Sequence, residues 1–132
     1  RPPRTALAPL GRLVRGLKRS DPLVTGHAEY LMDWLPKYDQ IDANGHYGQS
    51  FYMWYYGTLS MFQMGGHYWT QWNDAMKDTL LGTQKQDGPM AGSWDPQDKW
   101  EQSGGRLYST ALRVLMLEVY YRHLPLYQVL EQ

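Results

Sequence analysis

Apolar and polar positions recur along the chain with a helical rather than a strand period, and five stretches carry the signal. In residues 5–18, Leu7, Leu10, Val14 and Leu17 fall at three- and four-residue steps with Arg12, Arg15 and Lys18 between them, the pattern of an amphipathic helix. Ser20-Asp21-Pro22 then supplies a cap and a first-turn proline for a second helix. On that helix Leu23, His27, Tyr30, Leu31 and Trp34 share one face, Glu29 and Asp33 lie on another, and Pro36 marks the end. Tyr38 to Gln49 has the Asp, Asn and Gly content of a loop. Residues 51–64, FYMWYYGTLSMFQM, follow the capping Ser50 and are apolar in nearly every direction, which predicts a helix covered on all sides. The aromatics also suit a strand, but fourteen residues without a turn signal exceed a usual strand.

After Gly65-Gly66, residues 67–83 return to the amphipathic pattern, with Tyr68, Trp69, Trp72, Met76 and Leu80 inward and Gln71, Asn73, Lys77 and Asp78 outward. Gln84 to Gly105 reads as a loop. Residues 107–123 are again apolar on most faces, and Leu124-Pro125 stops them. The order amphipathic, buried, amphipathic, buried is what a two-layer ring or solenoid of helical hairpins requires. A faint internal repeat agrees with it: an offset of 53 pairs Tyr55 with Tyr108, Leu59 with Leu112 and Tyr68 with Tyr121.

Composition narrows the function classes. At 132 residues the chain is one domain or a piece of one. It has no cysteine, which excludes disulfide scaffolds, thiolate metal sites and cysteine nucleophiles. No apolar run approaches the ~20 residues of a membrane span. Net charge is zero, yet residues 1–20 hold six basic side chains and no acid, leaving 7 basic and 13 acidic residues in the remainder. Such a run reads as a solvated or docked helix face. As a nucleic-acid arm it lacks aromatics to stack on bases, so no nucleic-acid partner is expected. The chain opens on Arg-Pro-Pro-Arg, which suggests an excised or processed segment. The expected organisation is a basic segment over 1–20 and a helical-hairpin region over 21–132.

Few residues invite chemistry on their own. Placing Asp42-Ala43-Asn44-Gly45 in an EF-hand register puts Gln40 first and Phe51 twelfth, where carboxylates are needed. His27, His46, His67 and His123 have no metal-binding spacing. Ser109-Thr110 has no local His or Asp and reads as helix capping rather than a nucleophile. Tyr52, Trp54, Tyr55 and Tyr56, with Tyr108, either line a cavity for an apolar ligand or fill the core. No catalytic residue, metal ligand or cofactor is expected.

Gln84 to Trp94, QKQDGPMAGSW, places a Gln after an outer helix, then a Gly-rich turn with Gly88 and Gly92, then Trp94. It resembles the QW motif of terpenoid cyclases. Residues 105–112, GRLYSTAL, look like the inner-helix start of the prenyltransferase/squalene-oxidase repeat. With residues 51–83 these blocks cover the larger part of the chain. The resemblance implies an all-α fold of α/α-toroid type, a partial toroid whose buried inner helices alternate with amphipathic outer ones. It also implies structural roles for Gln84 and Trp94, the first bonding backbone at a helix end and the second packing. The Asp-x-Asp-Asp acid of squalene-hopene-type cyclases, the Asp-Asp-x-x-Asp site and the zinc ligands of protein prenyltransferases are all absent. The leading expectation is therefore a non-catalytic repeat module for assembly or for apolar-ligand or protein binding. The alternative is a terpene-cyclase-like enzyme acting on an isoprenoid in an aromatic-lined cavity, with an acid such as Asp95 raised in pKa by burial. A closed ring of this type needs about six hairpins at one per ~50 residues. Self-association, or the remainder of a larger toroid protein, is thus expected, with contacts through Tyr52, Met53, Val119 and Tyr120.

Overall fold

A computed structural model describes residues 2–41 and 49–122, with side chains in the first helix from Ala6 onward. The elements are α1 (Pro2–Val14), α2 (Pro22–Met32), a 3-10 turn (Tyr38–Gln40), α3 (Phe51–Met64), α4 (Gly66–Thr83), α5 (Lys99–Leu117) and the short α6 (Val119–Arg122). The described residues form no sheet, only an isolated bridge between Ile41 and Gln49, so the expected all-α class holds. Local chemistry sets the helix starts. Asp21 Oδ1 accepts the Leu23 N–H at 2.9 Å, and Ser50 Oγ accepts the Met53 N–H at 3.2 Å. The Asp42–Gly45 segment, His46 and His123 lie outside the described residues.

Helix α3 is the one around which the others gather, packing with α1, α2, α4, α5 and α6. Phe51, Met53, Trp54 and Met61 are fully buried on it, as its all-round apolar sequence predicts. The basic N-terminal helix docks here: Ala6 and Leu13 are buried, and the Ser60 hydroxyl donates to the Ala6 carbonyl. Arg19 Nη1 then donates to the Met64 carbonyl at 3.1 Å, answering an end-of-helix acceptor. On the other side, α4 sets the Trp72 indole against Gly57. A Cβ at Gly57 would fall 2.4 Å from the ring, so only glycine admits this approach. Thr58 ties the pair together, accepting the Trp72 indole N–H at 2.9 Å while donating to the Trp54 carbonyl at 2.7 Å. The α3–α4 corner is turned by Gly65 and Gly66 at φ 69° and 52°, a region that glycine enters at little cost.

Three expectations are corrected. First, the stretch Gln84–Gly105 is not all loop, because Asp98 starts a helix at Lys99 by accepting from the Trp100 and Glu101 N–H groups. Gly105, at φ 71°, then breaks α5 into two runs. Second, residues 107–123 do not form a helix buried all round. Leu107 is 83% and Tyr121 85% exposed, and Val114 is also open. The cause is that α5 turns Ser109, Leu112, Arg113 and Met116 to the interior, and no described element covers its far side. Third, Met53 and Val119 are fully buried within the chain and are not surface contacts. Tyr52 and Tyr120 remain exposed.

Candidate functional site

The first turns of α3 and the second run of α5 bring tyrosines together. The Tyr52 and Tyr56 rings meet edge to face at 4.7 Å, and Tyr55 meets Tyr56 at 5.1 Å. Tyr108 arrives from α5, within electrostatic range of Tyr56, Asp98 and Glu101. Its place depends on Gly104, where a Cβ would fall 2.6 Å from Tyr108 Cγ. Tyr38 stands close enough to Arg113, Glu101 and Asp95 to feel their charge. Tyr52, Tyr56, Tyr108 and Tyr38 all retain partial exposure. Trp54 is not part of this surface: it is fully buried, donating its indole N–H to Gln49 Oε1 at 2.7 Å. Gln49 is itself buried and saturated, also accepting the Lys37 N–H and donating to the Leu35 carbonyl and Gln40 Oε1.

Three phenols here, those of Tyr52, Tyr108 and Tyr38, are raised above the ordinary tyrosine value. A hydrogen bond with Tyr56 is the main cause raising Tyr52 above the ordinary tyrosine value, with burial second. Burial raises Tyr108, assisted by the Asp98 and Glu101 carboxylates. Burial raises Tyr38 too, with Arg113 opposing it and Glu101 and Asp95 assisting. At neutral pH the surface therefore offers aromatic faces and neutral hydroxyl groups.

Beneath it lies a polar core that sequence reasoning missed. Glu101 and Arg113 are fully buried and form a two-pronged ion pair, Nη1 to Oε1 and Nη2 to Oε2, the latter at 3.1 Å. Arg113 Nη1 also donates to the Ser109 carbonyl at 3.0 Å, and its guanidinium carbon lies 3.6 Å from the centre of the Phe51 ring. Glu101 Oε2 accepts the Gln97 N–H at 2.8 Å. Asp98 Oδ2 accepts the Phe51 N–H at 3.0 Å, joining the start of α3 to the start of α5. The signal was present as Asp98-Lys99-Trp100-Glu101, an acid at the cap and another three residues on. It was hidden inside a segment dense in Gly, Pro and Asp.

The Gln84–Trp94 segment is a folded clamp. Gln84 Nε2 donates to the Gly92 carbonyl at 2.9 Å, and backbone bonds between Lys85 and both Gly92 and Ser93 close the loop. Gly88 and Gly92 take positive φ at its turns. Trp94 is 2% exposed, and its indole N–H donates to the Leu80 carbonyl at 2.7 Å, capping the end of α4. Its backbone N–H donates to Thr110 Oγ1 at 3.3 Å, reaching α5. Ser109 and Thr110 thus bond mid-helix and loop backbone rather than capping a helix start.

Asp95 does not meet the demand made of a catalytic acid. Hydrogen bonds from Lys85 and Arg106 hold its carboxyl below the usual range, so it is ionised, the reverse of what alkene protonation needs. Among the described residues no three His, Asp or Glu side chains are grouped to hold a metal ion. No described helix is long and apolar enough to cross a membrane. No protein-family model matches the chain, and no curated protein or solved structure does so either.

Proposed function

We propose that the chain is a non-catalytic helical repeat module, similar to a fragment of the terpenoid cyclase and prenyltransferase α/α toroids, that binds an apolar-bodied ligand on its tyrosine surface and assembles with further helical hairpins. The observation that carries the reading is a contrast. Tyr52, Tyr56 and Tyr108 converge with their side chains at least partly open, while the acids around them already have partners. Asp98 accepts three backbone N–H groups, Glu101 is paired with Arg113, and Asp95 sits between Lys85 and Arg106. Aromatic faces without an available strong acid suit holding an apolar ligand rather than transforming it. The toroid reading is supported by the clamp that Gln84 and Trp94 form at the end of α4, the structural role such a motif requires.

Calorimetric titration with farnesol, and with a linear alcohol of equal carbon number as a comparator, tests this. Saturable binding of farnesol is expected, weakened about tenfold or more by Tyr52→Ala or Tyr108→Ala, the scale of one lost aromatic contact. Gly104→Ala, which displaces Tyr108 without removing it, should weaken binding in the same direction. Incubation with farnesyl diphosphate should leave it unconsumed. Absence of saturable binding would remove the ligand reading, and consumption of the diphosphate would establish the enzyme instead.

A further inference from the structure

Docking on α3 accounts for one side of α1 only. Ala6, Pro9 and Leu13 are buried, while Leu7, Gly11 and Val14, which advance by four and three residues, run along an open side. Val14 is 68% and Leu7 37% exposed, and a Cβ at Gly11 would meet open space. Arg15 and Lys18 are exposed directly after this stripe, and Arg12 is half-buried in its last turn. No acid stands among residues 1–20. The ion pairs among the described residues use Lys77, Lys85, Arg106, Arg113 and Arg122, and Arg12, Arg15 and Lys18 take part in none of them. Asp21, the nearest acid in sequence, accepts the Leu23 N–H at the start of α2. The rest of the chain carries 13 acidic against 7 basic residues, yet folding has not brought a described acid to these three cations.

We infer that this open side of α1 adsorbs to an anionic bilayer surface, with Arg12, Arg15 and Lys18 at the lipid headgroups and Leu7 and Val14 at the acyl boundary. Unpaired cations with no acid among them are drawn to the negative surface of such a membrane, each contributing about fivefold in partitioning. The phosphates of a nucleic acid would attract the same charges, and the two aliphatic side chains decide between the partners. A nucleic-acid groove offers Leu7 and Val14 little apolar surface, and residues 1–20 hold no aromatic to stack on a base. A bilayer interface takes both kinds of group at once. Because the inner side of α1 stays packed on α3, the helix lies along the membrane surface without leaving the fold. The same surface repels the acidic remainder of the chain, which orients the molecule with α1 toward lipid. The inference is independent of the tyrosine surface on α3 and α5.

Co-sedimentation of the whole chain with phosphatidylcholine vesicles, with and without about 30 mole % phosphatidylserine, tests this. Binding to the anionic vesicles is expected, with none to phosphatidylcholine alone, and it should weaken about tenfold or more as salt rises from about 50 to 300 mM. Arg15→Glu with Lys18→Glu should lower partitioning about 25-fold or more. The helix signal should stay unchanged, since both side chains are exposed. Lys37→Glu with Lys99→Glu makes the same change of net charge at two other exposed positions and should alter binding less than about threefold. Val14→Ser, at constant charge, should weaken binding about threefold or more, the share of one aliphatic contact. Absence of binding to the anionic vesicles, or an equal loss in the two charge-reversed pairs, would overturn the α1 surface. Salt-sensitive binding of a DNA duplex, with Val14→Ser leaving vesicle binding unchanged, would assign the face to nucleic acid and overturn the bilayer reading.

Discussion

Where α4 meets α3, Trp72 lies against the bare backbone of Gly57, and the polar contacts gather on the Thr58 hydroxyl, which accepts the Trp72 indole N–H and approaches the Met76 sulfur at 3.2 Å. Where α5 meets α3, the contact is built on Asp98, Glu101 and Arg113, with the guanidinium against the Phe51 ring. The first junction is stabilised by shape, since apolar contacts accumulate only when surfaces fit. The second depends on mutual satisfaction of charge, because each buried ion costs several kcal/mol of lost hydration unless its partner is in place. The difference reaches the surface. On α5 the inner face carries Arg113 and Ser109 beside Leu112 and Met116, with Leu107 and Val114 left on the outside, whereas α4 keeps its tryptophan and methionine inward in the usual way.

The charged junction should be the more brittle one. Glu101→Leu alone is expected to destabilise the chain by about 3–5 kcal/mol by stranding Arg113, whereas Glu101→Leu with Arg113→Met should be near neutral or stabilising. Urea denaturation of the four members of that cycle measures it, and additive losses would mean that the pair is not coupled. Trp94 bridges both junctions through Leu80 and Thr110, and Trp94→Ala should cost about 3–5 kcal/mol. An unchanged melting curve would remove its role as a staple. At the shape-dependent junction, Gly57→Ala should cost about 1–3 kcal/mol by overpacking against Trp72. Trp72→Phe in the same chain should recover part of that loss if the clash is its cause.

The smallest effect concerns the outer side of α4, where the Tyr68 hydroxyl donates to the Glu29 carboxylate on α2. That bond is the main cause pushing the Tyr68 phenol up to about 12 from 10.0. A raised pKa favours the folded chain as long as the unfolded chain is protonated too, so the benefit is complete below pH 10. It is lost as pH rises from 10 to 12, because the unfolded chain releases its proton first. Melting temperature followed over that range should fall less steeply in Tyr68→Phe. The contact is exposed and screened by solvent, which keeps the effect small.

Much of the helix plan was legible from the residues alone. The limits of α3 follow from Ser50 before it and Gly65-Gly66 after it, and its burial follows from apolar side chains in every direction. The amphipathic face of α4 was equally plain, since Trp72, Met76 and Leu80 repeat at four-residue steps. These features are local, set within one or two turns by propensity, capping and periodicity. The buried ion pair was not legible, because Glu101 and Arg113 lie twelve residues apart with a glycine break between them. Nothing in the pattern of α5 says that its arginine points inward. The tyrosines of α3 could be named as a group, but whether they filled the core or faced outward depended on where α5 and Gly104 came to rest. Trp54 went to the interior, Tyr52 to the surface, and Tyr56 to a half-buried place against the core. Hydrophobic periodicity records how many side chains can be buried, and it assigns faces only when one side of a helix is clearly polar. On α3 and α5 that distinction is missing, and tertiary packing made the choice by matching Arg113 to Glu101 and Phe51 at the expense of exposing Leu107.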